Sequence, residues 1–119
     1  GDQAEDIAEI ITFLEGRIVG EMKLISGMAY KTMEMVTESV DAFVKKDMEL
    51  AERVIEQDDI VDEFFSQIKQ AIIKWIGNNP SDGEFALDLL MIAKYLERIG
   101  DHATNIAEWV IYSVTGVHK

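Results

Sequence analysis

The sequence contains no cysteine and a single proline among its 119 residues. Without thiols there is neither a disulfide framework nor a thiolate metal site, a usage that fits a reducing compartment. Apolar residues make up 48% of the chain. They never run together for the roughly 18 positions that a membrane span requires. The opening Gly1-Asp2 is acidic where a secretory leader would be basic, so a cytoplasmic location is expected. Basic side chains are scarce: 11 against 23 acidic, a formal net charge of −12. Such a field repels nucleic acid and anionic lipid, which argues against nucleic-acid binding and leaves a peripheral association with membranes at most. It suits cations and basic partners.

Catalytic signatures are missing as well. There is no Walker lysine loop, no Gly-x-Gly-x-x-Gly and no Gly-x-Ser-x-Gly elbow. Neither His102 nor His118 follows a glutamate by three positions, as a di-iron bundle would need. The position that would close an EF-hand loop around Asp82-Gly83 is Leu89. No nucleophile–His–acid set can be assembled, and the chain does not read as an enzyme.

What is present is helical periodicity. Asp2 to Leu14 carries Ile7, Ile10, Ile11 and Leu14 at helical spacing, and Gly16 and Gly20 then interrupt it. From about Met22 to Lys45 a seam of Ile25, Ala29, Thr32, Val36, Ser39 and Phe43 repeats every three to four residues. Asp47 stands as N-cap to a helix from Met48 to about Ile76. Its seam includes Ala51, Val54, Val61, Phe65, Ile68 and Ile72, with Asp58 and Asp62 on the same stripe. Gly77-Asn78-Asn79-Pro80 ends that helix, and Ser81 and Glu84 form a capping-box pattern for the last one. The final helix runs to about Val114 on Leu89, Ala93, Leu96, Gly100, Ala103, Ala107, Val110 and Val114. Three long helices joined by short turns predict an all-α, antiparallel three-helix bundle, up-down-up, with a partial helix before it.

Two acidic pairs break the apolar pattern: Asp58-x-x-x-Asp62 and Glu97-x-x-x-Asp101. Glu97, Asp101, Asn105 and Glu108 share one helix face. Counted outward from the 77–81 turn, Asp62 and Glu97 lie almost equally far along neighbouring antiparallel helices, so four carboxylates come to one height. Two carboxylates about 4 Å apart repel by roughly 4 kcal/mol at an effective dielectric of 20. Hard cations such as Mg²⁺, Ca²⁺, Mn²⁺ or ferric iron would neutralise such a cluster. A salt-bridged network using Lys69, Lys94 and Arg98, or a merely solvated face, are the alternatives. His102, next to Asp101, is either a group supporting the carboxylates or a solvated one.

The chain also echoes itself. Gly1-Asp2-Gln3-Ala4-Glu5-Asp6-Ile7-Ala8-Glu9 aligns with Gly100-Asp101-His102-Ala103-Thr104-Asn105-Ile106-Ala107-Glu108, six of nine positions being identical. Phe13 then matches Tyr112. A two-repeat protein, cut or processed inside the third helix of its first repeat, is expected.

The stretch Leu96-Glu97-Arg98-Ile99-Gly100-Asp101-His102-Ala103-Thr104-Asn105-Ile106-Ala107-Glu108, with Tyr112 and Gly116, resembles the closing helix of the PhoU family of bacterial phosphate-uptake regulators. Asp47 to Ala51 and Asp58-Asp59-Ile60-Val61-Asp62 resemble the helix before it. The resemblance implies tandem three-helix bundles. Residues 1–15 would be the remnant of the preceding repeat's last helix and 16–23 a connection. Residues 24–119 would form the PhoU domain, with helices near 22–46, 48–76 and 82–115. It also implies a multinuclear iron or zinc site, with Mn, Mg or Ca as other candidates, held by Asp58, Asp62, Glu97 and Asp101. Asp59, Asn105, Glu108 and His102 would be weaker ligands or supporting groups.

By the same resemblance the protein would be a non-enzymatic negative regulator of the phosphate-starvation response. It would dock on the ATPase of a phosphate ABC transporter and on a sensor histidine kinase. The alternative is a PhoU-like cytoplasmic domain of a membrane transporter such as a sodium–phosphate carrier. The free apolar face of Ile7, Ile10, Ile11 and Leu14 points to a homodimer or higher oligomer.

Overall fold

The computed structural model describes residues 20–116, with side chains from 23. The expected remnant helix at 1–15 and the first part of the connection at 16–23 lie outside the described residues. Helix α1 spans Gly20–Lys45, α2 spans Met48–Asn78 and α3 spans Gly83–Thr115. Residues 20–23, assigned above to the connection, are already helical.

Two residues separate α1 from α2, and a few separate α2 from α3. Links so short cannot span a bundle 53 Å long, so each helix returns beside the one before it. All three helices pack on one another as an antiparallel bundle. Among the described residues no helix is long and apolar enough to cross a membrane.

The α1–α2 turn is built from two caps. The Asp47 backbone N–H donates to Ala42 O at 3.0 Å, closing a Schellman-type turn with Lys46 in the left-handed region at φ 53°. Asp47 then serves as N-cap of α2, as its residue type predicts: its carboxylate accepts from the Leu50 backbone N–H at 3.1 Å.

The α2–α3 turn differs from the sequence reading. Gly77 does not end α2; the helix continues to Asn78, and the Asn79 N–H donates to Trp75 O at 2.8 Å. Pro80, which disfavours helical geometry in the residue before it, sets the stop. The Ser81–Glu84 capping box does not form either. Pro80–Asp82 makes a 3-10 turn, Asp82 takes the N-cap position, and no side chain caps α3. The Asp82 carboxylate instead accepts from Trp75 Nε1 at 3.3 Å, while the Trp75 ring meets Phe85 edge-on at 5.6 Å. Tertiary contact across the hairpin has replaced a local cap.

The core runs the length of the bundle. Ile25, Met28, Met35, Val54, Val61, Ile68, Leu89 and Leu96 are fully buried. Two positions expected on the seam are outside it: Phe43 is 55% exposed and Val114 is 45% exposed. A strict seven-residue repeat drifts by about 20° per heptad against 3.6 residues per turn, so Ala42 takes the inner place where Phe43 was expected. Thr32 and Ser39 are buried without penalty, because their hydroxyls donate to Met28 O and Val36 O, each at 2.8 Å.

Candidate functional site

Small residues on α3 let α2 approach closely where the acidic pairs stand. A Cβ on Gly100 would lie 3.5 Å from Val61 Cγ1, an ordinary contact. That approach puts Val61 level with Gly100, and so fixes the height of the carboxylates either side of them.

Asp58 and Asp62 come from α2, Glu97 and Asp101 from α3. Asp58 is half-buried beside the seam, and its Oδ1 is buried with no hydrogen-bond partner. Loss of hydration raises its carboxyl above the ordinary range; the charges of Asp62, Asp101 and Asp59 raise it further. The Thr104 hydroxyl acts in the opposite sense, favouring the charged form. Asp62 is exposed, yet its carboxyl is also raised, first by burial and then by Glu97 and Asp59. Across the helix pair, then, Asp58 senses Asp101 and Asp62 senses Glu97. This is the levelling that the hairpin count predicts.

Cations of the chain do little to relieve this charge. Lys94 Nζ stands 3.3 Å from Glu97 Oε1 and 5.0 Å from the centre of the Phe65 ring. Among the described residues neither Lys69 nor Arg98 forms an ion pair with the four carboxylates. A salt-bridged network therefore reaches one of the four. The donor set is oxygen only, and one oxygen is desolvated and unpaired, which fits a hard cation. Among the described residues no three acidic or imidazole side chains already stand close enough to grip an ion.

The weaker candidates divide. Asp59 belongs to the same electrostatic group, since it raises both Asp58 and Asp62. His102 and Asn105 line a separate hollow with Phe43, Ile106 and Trp109. Glu108 stands two turns beyond Asp101 and takes no part in raising Asp58 or Asp62. Thr104 is the residue that sequence reasoning missed. Its place one turn after Asp101 was the available signal.

This geometry sits inside a recognisable sequence. Residues 25–110, which reach into all three helices, match the PhoU domain. The chain belongs to the PhoU family. It is 40% identical over 98% of its length to the phosphate-specific transport system accessory protein PhoU homolog 1 of Thermotoga maritima. It is 36% identical over 98% of its length to the PhoU homolog of Clostridium acetobutylicum, and 33% identical over 98% to that of Pseudomonas aeruginosa. The alignments cover 51%, 53% and 49% of those proteins, so the chain spans about half the length of the curated relatives it matches. The PhoU match includes both acidic pairs and the Val61–Gly100 contact that levels them.

Proposed function

We propose that this PhoU domain is a cation-holding part of a non-enzymatic accessory regulator of phosphate uptake. The observation that carries the reading is Asp58: a carboxylate with a desolvated, unpaired oxygen, facing three other carboxylates across a helix pair, in a chain of this family. Asp58 and Asp62 on α2, with Glu97 and Asp101 on α3, would hold the ion, and Asp59 would add charge beside them. A bound di- or trivalent cation supplies neutralisation there. Iron or zinc is the expectation from the family, while the all-oxygen donor set equally suits manganese, magnesium or calcium.

The residues' own part is to hold charge ready at fixed height on two helices. Neutralising it would tie α2 to α3 and give that face of the bundle a stable surface. Negative regulation of the phosphate-starvation response, through contact with the transporter ATPase and a sensor kinase, completes the proposal. The names of the relatives, accessory proteins of phosphate-specific transport systems, support that direction.

Elemental analysis after reconstitution with Fe, Mn, Mg, Ca and Zn tests the metal reading. Wild type should retain metal, and Asp62→Asn and Asp101→Asn should each lose most of it while staying helical. Metal-free protein under every condition would leave the carboxylates without this role.

A further inference from the structure

Helix α3 carries two seams. The inner one, through Leu89, Ala93, Leu96 and Gly100, is buried in the bundle. Half a turn round, Met91, Tyr95, Arg98, His102, Asn105 and Trp109 succeed one another in alternating steps of four and three residues, and all six are exposed. Met91 is 63% exposed and Trp109 54%. A four–three alternation kept over several turns is the pattern of a helix that pairs with another helix, with polar residues at the seam setting register and direction.

Two hollows lie along this outer seam. Met91, Lys94, Tyr95 and Arg98 line the first, together with Glu97 and Asp101. His102, Asn105, Ile106 and Trp109 line the second, with Phe43 of α1 as a further wall. In each, the four residues have the spacing of the hole that receives one knob from a facing helix.

The seam is complementary to itself. If a second copy runs antiparallel with its Met91 at Trp109, the same register brings its Asn105 to Tyr95 and its Arg98 to His102. Each layer then recurs under two-fold symmetry, as a closed isologous contact requires. Trp109 enters the first hollow of the second copy, and the second copy's Met91 enters the hollow walled by Phe43 and Trp109. Charges agree as well: Lys94 comes beside the second copy's Glu108, and Arg98 beside its Asp101. In a chain of net charge −12, the contact falls where Lys94 and Arg98 supply positive charge. A parallel pair would instead set Arg98 against Arg98.

We propose that two copies of this chain associate through α3, antiparallel, along the seam from Met91 to Trp109. The full chain should have the mass of a dimer by light scattering. Trp109→Ser and Arg98→Glu, both at exposed positions, should each weaken dimerisation by about tenfold or more and leave helicity unchanged. The native sequence has no cysteine, so Tyr95→Cys/Asn105→Cys gives a clean cross-linking test. Ten residues along one helix are about 15 Å apart, too far for a disulfide within the chain. Oxidation should therefore yield a covalent dimer, and Tyr95→Cys alone should not. The proposal is overturned by a monomeric wild type at all concentrations, which includes the case in which residues 1–14 cover the seam within their own chain. A dimer indifferent to both surface substitutions, or a single cysteine that cross-links as readily as the pair, overturns it too.

Discussion

Val61 on α2 packs against Gly100 on α3, with Val61 Cγ1 3.5 Å from the place of a Gly100 Cβ. That contact separates Asp58 from Asp62 along one helix and Glu97 from Asp101 along the other. It is the ruler on which the acidic site is laid out, and it leaves room for one more methyl group.

Gly100→Ala should therefore stabilise the fold. Glycine in a helix interior costs about 0.5–1 kcal/mol relative to alanine, and the new Cβ meets Val61 at ordinary distance. Chemical denaturation should show a gain of that size. A loss would mean that the two helices tolerate no added volume at this level.

Gly27 is the contrasting case. A Cβ there would come within 3.0 Å of Phe64 Cε1, so the ring must shift to admit it. Gly27→Ala should gain less than Gly100→Ala, or lose stability. In a Phe64→Leu background the full helix-propensity gain of about 0.5–1 kcal/mol should return. A double-mutant cycle with no coupling between the two positions would contradict this.

Asp58→Asn should raise the stability of metal-free protein at neutral pH. The folded-state carboxyl is raised by burial and by Asp62, Asp101 and Asp59, so the folded protein binds this proton more tightly than the unfolded chain does. Its favourable contribution is complete below the unfolded carboxyl's pKa and lost as pH climbs through the raised folded value. Asparagine stays neutral, so the advantage of the substitution should be present at pH 7 and fade on acidification through that window. Solvent screens these partly exposed groups, so the gain should stay below about 1 kcal/mol. Thermal melts of both proteins across pH check the sign.

Lys46→Gly should also stabilise. Lys46 is exposed and sits at φ 53°, where an L-residue with a Cβ is disfavoured by about 1 kcal/mol, whereas the cap bond from the Asp47 N–H to Ala42 O needs only backbone. A gain of several tenths of a kcal/mol to about 1 kcal/mol is expected in urea titration.

The bundle and the level of its carboxylates were legible in the sequence because both depend on regular rise along helices joined by a tight turn. Asp47 was legible because an N-cap is a local interaction. Gly77 and the Ser81–Glu84 pattern misled because the hairpin end is decided by Trp75, Phe85 and Asp82 meeting across it, which no local window contains. Phe43 and Val114 were misplaced by small angular drift, too slight to see until it accumulates near a helix end. The unpaired Oδ1 of Asp58 could not be read from spacing at all, since the same aspartate turned slightly outward would keep its water.

That oxygen gives the empty site a standing electrostatic load. The folding of the bundle bears the cost of stripping Asp58 and crowding it with like charge, before any ligand arrives. Stability and cation affinity are thereby linked with opposite sign: a substitution that relaxes the free protein here gives up the charge that would draw an ion in. The bundle is accordingly least comfortable at the place where it is best prepared to bind.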